Sequence, residues 1–357
     1  MASGSAKPSN VATFVAVTHK DKPVAGLPAS SFRISENDQP IDAETAQLQL
    51  LEAARFATFH AVLLVDISQA NQPALRKALA KAAGAFVRRV RQGQPVTVVA
   101  YDGSDKVRLV GDFPADARAT APEQVDALLT LSPGDPSRNL RGAIVQGLEI
   151  LDRHLSASGG PVRLGTLAVF ARGPDLAGRY PSNKFDDALS ASVNKLVFIG
   201  VTGDGEDNLA KRVSQDGQVR AQSGDTLPIA FEDAGALVDG LLAQYYLLSY
   251  CSPSRAGKRS LKVTVNVPVE DGKDETASFD THFDASGFTA GCDSQKAPTL
   301  VSKASPSSGA TNSAAAGPES NGKPSGNAPA GNESRKSSTK AADDDEAPVP
   351  AKPGYAH

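Results

Sequence analysis

The segment 59–68, which reads FHAVLLVDIS, constrains the fold of this chain more than any other stretch of its sequence. Its apolar residues run without interruption from Ala61 to Val65, and the carboxylate of Asp66 and the hydroxyl of Ser68 follow directly. Such a run is typical of a strand that is buried on both faces, as the strands of parallel sheets are. Ligands of open α/β sheets bind at the carboxyl ends of the strands. The sequence therefore predicts a parallel sheet with Asp66 at its ligand-binding edge.

Strand-like and helix-like segments alternate through the middle of the chain. Apolar residues recur every three or four positions from Leu75 to Val90 and from Leu140 to Leu155, which predicts two amphipathic helices. Further buried strands are predicted at 96–101, 166–171, 196–201 and 245–250. Because repeated β-then-α order forces right-handed crossovers, we predict an α/β fold with a doubly wound, mostly parallel sheet.

The segments on either side of this region have a different pattern. Val11–Thr18, Phe32–Ser35 and Leu261–Val267 alternate as half-buried antiparallel strands do. The N-terminal group is too small to be stable alone, so we expect it to share a small β-layer with the strands after Cys251. From about Gln295 the chain is rich in Ser, Ala, Gly and Pro, a composition that predicts disorder. The predicted units are an N-terminal β segment at 8–53, the α/β domain at 54–252, C-terminal strands at 253–293 and a disordered tail at 294–357.

Composition narrows the possible partners. Lys and Arg number 37 against 40 Asp and Glu, giving a net charge of −3 without a basic stripe, so nucleic-acid binding is not expected. No apolar run reaches the roughly 18–20 residues that cross a bilayer. The opening MASGSAKPSN lacks the apolar core of a secretory signal.

The two cysteines bound the end of the predicted folded part. Cys251 follows the strand-like YYLLSY, and Cys292 lies just before the composition changes. A disulfide between them would fix the end of the folded region and would indicate an oxidising compartment; two free buried thiols are the alternative. Metal ligation by these cysteines is disfavoured because the five histidines show no ligand spacing around them.

The usual catalytic motifs are absent from this sequence. It has no Gly-x-Ser-x-Gly elbow, no His-Glu-x-x-His and no phosphate-binding Gly-x-x-x-x-Gly-Lys, so we expect neither an enzyme nor a bound cofactor. His60 is predicted at the opposite end of its strand from Asp66 and therefore cannot serve Ser68 as a base. His154 lies near the end of a predicted helix, where contact with the terminal carbonyls is expected.

The order of these segments resembles the von Willebrand factor type A domain. Asp66-Ile67-Ser68 is similar to the start of that family's Asp-x-Ser-x-Ser motif, with Ala70 in the third position. The stretch VATFVAVTHKDKPVAGLPASSFRISENDQPI is similar to the N-terminal lead-in of secreted bacterial type A proteins, and QYYLLSYCSPSRAGKRSLKVTVNV to their closing strands. The resemblance covers roughly residues 11–285. It implies a protein-binding module of the bacterial cell envelope that is periplasmic, at the cell surface or secreted.

The resemblance also implies a metal site, to which this sequence matches only in part. Asp66 and Ser68 match the motif, whereas Arg138 lies where the family has a Thr, unless Ser137 takes that place through a shift of one residue. Arg172 lies where the family has a second Asp, and Asp175, predicted as a turn residue, is the alternative carboxylate. The matching stretches thus give a degenerate site that we expect to hold no metal and to contact a partner protein through Asp66, Ser68, Ser137, Arg138, Asn139, Arg172 and Asp175.

Two guanidinium groups suit a dication poorly, because they donate hydrogen bonds and accept none. At about 4 Å and an effective dielectric near 20, the Coulomb energy between two unit charges is roughly 4 kcal/mol, which is a penalty when a cation faces a guanidinium. We therefore expect a salt bridge from Arg172 to Asp66 in place of an ion. The alternatives are a metal-dependent adhesion domain with a reorganised Mg²⁺ or Ca²⁺ site and a hydrolase without recognisable motifs. The acidic loop 204–207 is a further candidate for Ca²⁺ or, more simply, a polar loop at the same edge.

Overall fold

A central β-sheet organises the computed structural model, which describes residues 2–20, 22–53, 56–116, 124–158, 161–203, 208–268 and 274–302. The chain divides into the units Met1–Ser305 and Pro306–His357, and all of the second unit, like most of the predicted tail, lies outside the described residues. The strands are β1 (Ala2–Ala6), β2 (Asn10–Ala16), β3 (Thr18–His19), β4 (Lys22–Pro23), β5 (Phe32–Glu36), β6 (Gln39–Ile41), β7 (Gln49–Leu51), β8 (Ala57–Asp66), β9 (Val96–Tyr101), β10 (Arg108–Phe113), β11 (Val162–Phe170), β12 (Lys195–Val201), β13 (Gln218–Ala221), β14 (Tyr245–Cys251), β15 (Lys258–Val267), β16 (Glu275–Asp284) and β17 (Val301–Ser302). The helices are α1 (Pro73–Val90), α2 (Ala127–Thr130), α3 (Leu140–Ala157), α4 (Ser182–Ala191), α5 (Asn208–Val213) and α6 (Leu227–Ala243).

The central sheet confirms the predicted α/β fold. Within the described residues its order is β10-β9-β8-β11-β12-β13, and every neighbouring pair is parallel except β10 with β9. Residues 61–65 of β8 are fully buried because helices cover both faces of the sheet. Side chains of α1 and α6 pack on one face, and side chains of α3, α4 and α5 pack on the other.

The antiparallel sheets beside this core join the two ends of the described chain, as predicted. One sheet has the order β17-β1-β2-β14-β7, and the other has the order β16-β15-β5-β6. The N-terminal β5 pairs with β15 from Phe32 opposite Val265 to Glu36 opposite Leu261. The N-terminal strands therefore share their layers with strands from the end of the folded region.

One predicted strand lies in a different sheet from the one expected. Residues 245–250 were expected among the buried strands of the parallel sheet, but β14 runs antiparallel between β2 and β7. Its two faces contact different apolar clusters, since Leu247 packs with Phe14 and Leu300 whereas Leu248 packs on the opposite side. Burial on both faces produced an apolar run without alternation, so the pattern resembled that of a parallel strand. The sixth strand of the central sheet is instead the short β13.

The disulfide alternative for the two cysteines is confirmed. Cys251 and Cys292 are bonded, with their Cα atoms 5.8 Å apart. The segment after Cys292 is also fixed to the N-terminal strands, because the Asn10 side chain donates hydrogen bonds to the carbonyls of Asp293 and Lys296. In the part of the chain that the structure describes, no helix is long and apolar enough to span a bilayer.

Candidate functional site

The carboxyl edge of the central sheet contains a topological switch point between β8 and β11. These two strands are neighbours in the sheet, but the chain leaves them in opposite directions. It passes from β8 to β9 on one side of the pair and from β11 to β12 on the other side. In an open α/β sheet, this geometry leaves a crevice above the strand ends, where ligands bind. Asp66 ends β8, and the segment containing Arg172 follows β11, so the structure brings these two predicted residues to the crevice.

Both carboxylate oxygens of Asp66 accept hydrogen bonds from the protein. Oδ1 accepts from the backbone N–H of Ser68 at 2.9 Å. Oδ2 accepts from the guanidinium Nε of Arg138 and from the backbone N–H of Arg172, the latter at 3.0 Å. Asp66 is 3% exposed and Arg138 is 2% exposed, so the ion pair is buried. Burial of two charges is tolerated here because they are paired and hydrogen-bonded.

The guanidinium that pairs with Asp66 is not the one that the sequence suggested. We expected Arg172 to form this salt bridge, but Arg172 contributes its backbone N–H, and the ion pair belongs to Arg138. The reason is the path of the loop before α3, which directs the Arg138 side chain across the end of β8. There Nη1 also donates to the carbonyl of Pro174 at 3.0 Å, while the carbonyl of Arg138 accepts from the N–H groups of Leu176 and Ala177.

Among the described residues, the buried hydroxyl of Ser68 has no hydrogen-bond partner. Ser68 is 1% exposed, and its backbone N–H donates to the Asp66 carboxylate. Ala70, where the resembled family has a second hydroxyl, is fully buried. Thus Ser68 retains a free oxygen at this edge, and position 70 supplies none.

The remaining predicted site residues shape the loops around the ion pair. Asn139 caps α3 by accepting from the Gly142 N–H at 3.2 Å, and its amide donates to the Ser104 carbonyl. Ser137 does not replace Arg138 at Asp66, because its hydroxyl donates to Asp135 at 2.7 Å. Asp175 accepts from the N–H of Arg141 at 2.8 Å and from that of Gly178 at 2.9 Å, so it is the turn residue that the sequence predicted.

A second buried carboxylate at this edge was missed by the sequence analysis. Asp102 follows β9 directly and is 2% exposed; it accepts from the N–H groups of Ser104 and Gly134 and from the guanidinium of Arg108. Burial opposes ionisation, but these hydrogen bonds and the Arg108 charge lower the pKa of Asp102 below its usual value. The signal was present in the sequence, since Asp102-Gly103 ends a buried strand just as Asp66 does.

Exposed charges at the rim of the crevice are already paired within the chain. Arg179 donates to Asp135 at 2.8 Å and to the carbonyl of Gly103, and it lies 3.5 Å from Asp105. Hydrogen bonds from Ser137 and Arg179 lower the pKa of Asp135 to about 2. The acidic loop 204–207, a second candidate at this edge, lies outside the described residues.

The donor set around Asp66 does not suit a divalent cation. Mg²⁺ and Ca²⁺ need several oxygen ligands, but the Asp66 oxygens already accept three hydrogen bonds and a guanidinium lies against them. Among the described residues, no group of three or more His, Cys, Asp or Glu side chains is arranged to hold a metal ion. Among the described residues, the Asp66 carboxylate is thus bound by a guanidinium where a divalent cation would need further oxygen ligands.

The two histidines near the other end of β8 differ from expectation. His154 was expected to contact the carbonyls at the end of its helix, but its ring stacks on that of His60, with 4.2 Å between centroids. Both rings approach the hydroxyl of Thr97. As predicted, His60 lies toward the opposite end of β8 from Asp66.

Comparisons with known proteins give matches among solved structures. No family model and no curated protein matches this chain. It is similar to a von Willebrand factor type A protein from Catenulispora acidiphila, with 12% identity, a TM-score of 0.41, and 79% of this chain and 74% of that chain covered. It is also similar to manganese-loaded Plasmodium vivax TRAP protein, with 11% identity, a TM-score of 0.39 and 72% and 99% covered. A third is the vWF domain of the type V pili tip protein Mfa5 from Porphyromonas gingivalis, with 12% identity, a TM-score of 0.36 and 52% and 96% covered. Type A domains, the family that the sequence resembles, are thus among the solved structures to which this chain is similar.

Proposed function

We propose that this chain is a non-enzymatic protein-interaction module that works outside the cytoplasm and engages its partner at the Asp66 edge without a metal ion. The observation that carries the proposal is the buried ion pair between Arg138 and Asp66, in which a guanidinium binds the carboxylate that, by the family resemblance, would otherwise help to hold a cation. The ion pair fixes this edge without a cofactor, and because Arg138 itself is buried, contact with a partner falls to the more exposed residues beside it. The disulfide supports an oxidising compartment such as the periplasm, the cell surface or the exterior.

The surface beside the ion pair has the features of a preformed contact. Leu176 is 65% exposed, which is unusual for a large apolar side chain, and its backbone N–H is fixed to the Arg138 carbonyl at 2.9 Å. Asp175, next to it, binds the first turn of α3 through the Arg141 N–H. Because its backbone is already held in place, less entropy is lost when it binds, and Leu176 can serve as an anchor that charged groups surround.

Metal titration tests the first part of the proposal. Isothermal titration calorimetry with Mg²⁺, Mn²⁺ and Ca²⁺ should detect no stoichiometric binding to the wild-type protein. Replacing Arg138→Thr together with Arg172→Asp restores two of the three family ligands that this chain lacks, the third being the hydroxyl at position 70, and this variant should bind at least one of the three ions. Arg179→Gln, which removes a rim guanidinium that does not contact Asp66, is the matched control and should bind none. Micromolar binding by the wild-type protein would overturn the metal-free proposal.

Partner capture tests the second part. In a pull-down from cell-envelope extract, we expect the captured protein to be retained in EDTA and to be lost with Leu176→Asp or Arg172→Asp. Val193→Asp is the control, because Val193 is 87% exposed but precedes β12 at the opposite edge of the sheet. Loss of capture in EDTA would favour the metal-dependent adhesion domain instead. Turnover of an ester or peptide substrate that Ser68→Ala abolishes would favour a hydrolase.

A further inference from the structure

The stacked histidines join the long helix α3 to the central sheet. His60 lies on β8 and His154 on α3, and their rings are nearly parallel, at 6°, with 4.2 Å between centroids. His60 is 8% exposed, whereas the His154 side chain is 37% exposed. One ring is therefore held inside the protein and the other is open to protons from solvent.

Both rings share a single hydroxyl on β9. Thr97 Oγ1 lies 2.9 Å from His60 Nε2 and 3.3 Å from His154 Nε2, and it donates its only hydrogen to Asp112 at 2.6 Å. Because that hydrogen is already used, each imidazole that bonds to the hydroxyl must donate from Nε2. Two neutral rings with hydrogen on Nε2 satisfy the two lone pairs of the hydroxyl, so the hydrogen-bond cluster is complete when both rings are neutral.

The surroundings favour one added proton and oppose two. Among the described residues, the charged groups that act on His60 are His154 from α3 and Asp112 from β10. β9 presents the uncharged Thr97, and the residue opposite His60 on β11 is Gly165. Asp112 lies 3.9 Å from His154 Nε2 and can compensate one imidazolium. Two imidazolium rings stacked face to face would repel each other, because one carboxylate can compensate only one of the two charges and burial disfavours a charge on His60.

We propose that His60 and His154 form a proton-operated latch, which holds the C-terminal half of α3 on the sheet when both rings are neutral and releases it when both are protonated. Burial, and secondarily the His154 charge, lower the pKa of His60 to about 4, which agrees with a second proton that enters only in acid. The two elements that the latch joins, α3 and β8, both extend to the Asp66 edge, because α3 starts beside Arg138 and β8 ends at Asp66. It does not depend on the proposed partner.

Hydrogen exchange on the wild-type protein tests the latch directly. Amide protection of residues 148–157, in the second half of α3, should fall by at least tenfold between pH 7.5 and pH 4.5 after correction for the intrinsic exchange rate. Protection of residues 79–90 in α1, which packs on the other face, should change by less than threefold. Equal changes in the two helices would show general acid loosening and would overturn the proposal.

Imidazole titration by NMR provides an independent measurement. The His60 resonance should titrate at least one pH unit below 6.5 in the wild-type protein and should move upward in His154→Phe, which keeps the ring stack and removes the like charge. His282→Gln, a change on the exposed side of β16, is the matched control and should leave the His60 titration unchanged. If His60 titrates near 6.5, or if His154→Phe leaves its titration unchanged, a proton on one ring does not oppose a proton on the other, and the latch is refuted.

Discussion

The two ends of β8 bury ionisable pairs of opposite character. At the carboxyl end, Asp66 pairs with Arg138, and each charge stabilises the other in a site that water does not reach. Toward the amino end, His60 stacks on His154, and the two groups coexist only while at least one of them is neutral. Opposite charges hold the first pair together, whereas the second pair is destabilised when both of its rings carry a proton.

This difference shows that burial alone does not decide whether an ionisable pair is permanent or responsive. Both pairs connect β8 to the same part of the chain, since Arg138 precedes α3 and His154 lies in it. Opposite charges stabilise the upper connection, whereas two like charges would destabilise the lower one. Acid should therefore detach the C-terminal half of α3 from the sheet before it affects the N-terminal half.

Removing one charge of the upper pair should have the largest effect. Arg138→Met leaves the Asp66 carboxylate buried without its ionic partner, so we expect the free energy of unfolding to fall by about 3–5 kcal/mol. Adding Asp66→Asn should recover most of this loss, because the second change removes the uncompensated charge. Urea unfolding at pH 7.5 of the single and double variants measures both values. A double variant no more stable than the single one would contradict the assignment of this ion pair.

A pH change should break the lower pair without affecting the upper one. The folded pKa of His60 is about 4, below the unfolded value near 6.5, so the folded state binds fewer protons and stability is lost as pH falls below 6.5. At pH 5 this loss should be about 2 kcal/mol relative to pH 7.5. The lowered pKa values of Asp102 and Asp135 act mainly below pH 4, outside this window. Urea unfolding at both pH values should show the loss in the wild-type protein but not in His60→Gln.

Removing the shared hydroxyl should have a smaller effect. Thr97→Val keeps the shape of the side chain but deletes the acceptor of both imidazoles, for an expected loss of about 1 kcal/mol at pH 7.5. The change should disturb His60 more than His154, because the hydrogen bond between His60 and Thr97 is the shorter of the two. Thermal unfolding measures the loss, and a variant as stable as the wild type would show that the hydroxyl does not organise the cluster.

An exposed ion pair at the Asp66 edge should contribute least. Arg179 bridges Asp135, Asp105 and the Gly103 carbonyl at the protein surface, where water and salt screen the charges. We expect Arg179→Gln to leave the melting temperature within measurement error at 0.15 M salt. A clear loss would mean that the rim is coupled to the buried pair beneath it.

The sequence predicted the class of the fold better than it predicted the site. Apolar runs and helical spacing indicated the parallel strands and the helices, and Asp66 lies at the carboxyl end of its strand as expected. The assignment of 245–250 failed because burial on both faces erases alternation in an antiparallel strand just as it does in a parallel one. Neither the ring stack of His60 on His154 nor the choice of Arg138 over Arg172 could be foreseen, because both depend on where loops and helices direct side chains that lie far apart in sequence.

The antiparallel sheet at the amino end of β8 determines how this protein would transmit force. Phe14, Leu247 and Leu300 pack beside Ala57 and Phe59 at the start of β8, and β17 pairs there with β1. The Asp66 edge lies about 30 Å away along the same strand. A pull applied between the Asp66 edge and the residues packed at the start of β8 would load this strand along its length. Its backbone hydrogen bonds to β9 and β11 would then be sheared together rather than opened one after another, which is the more resistant loading geometry.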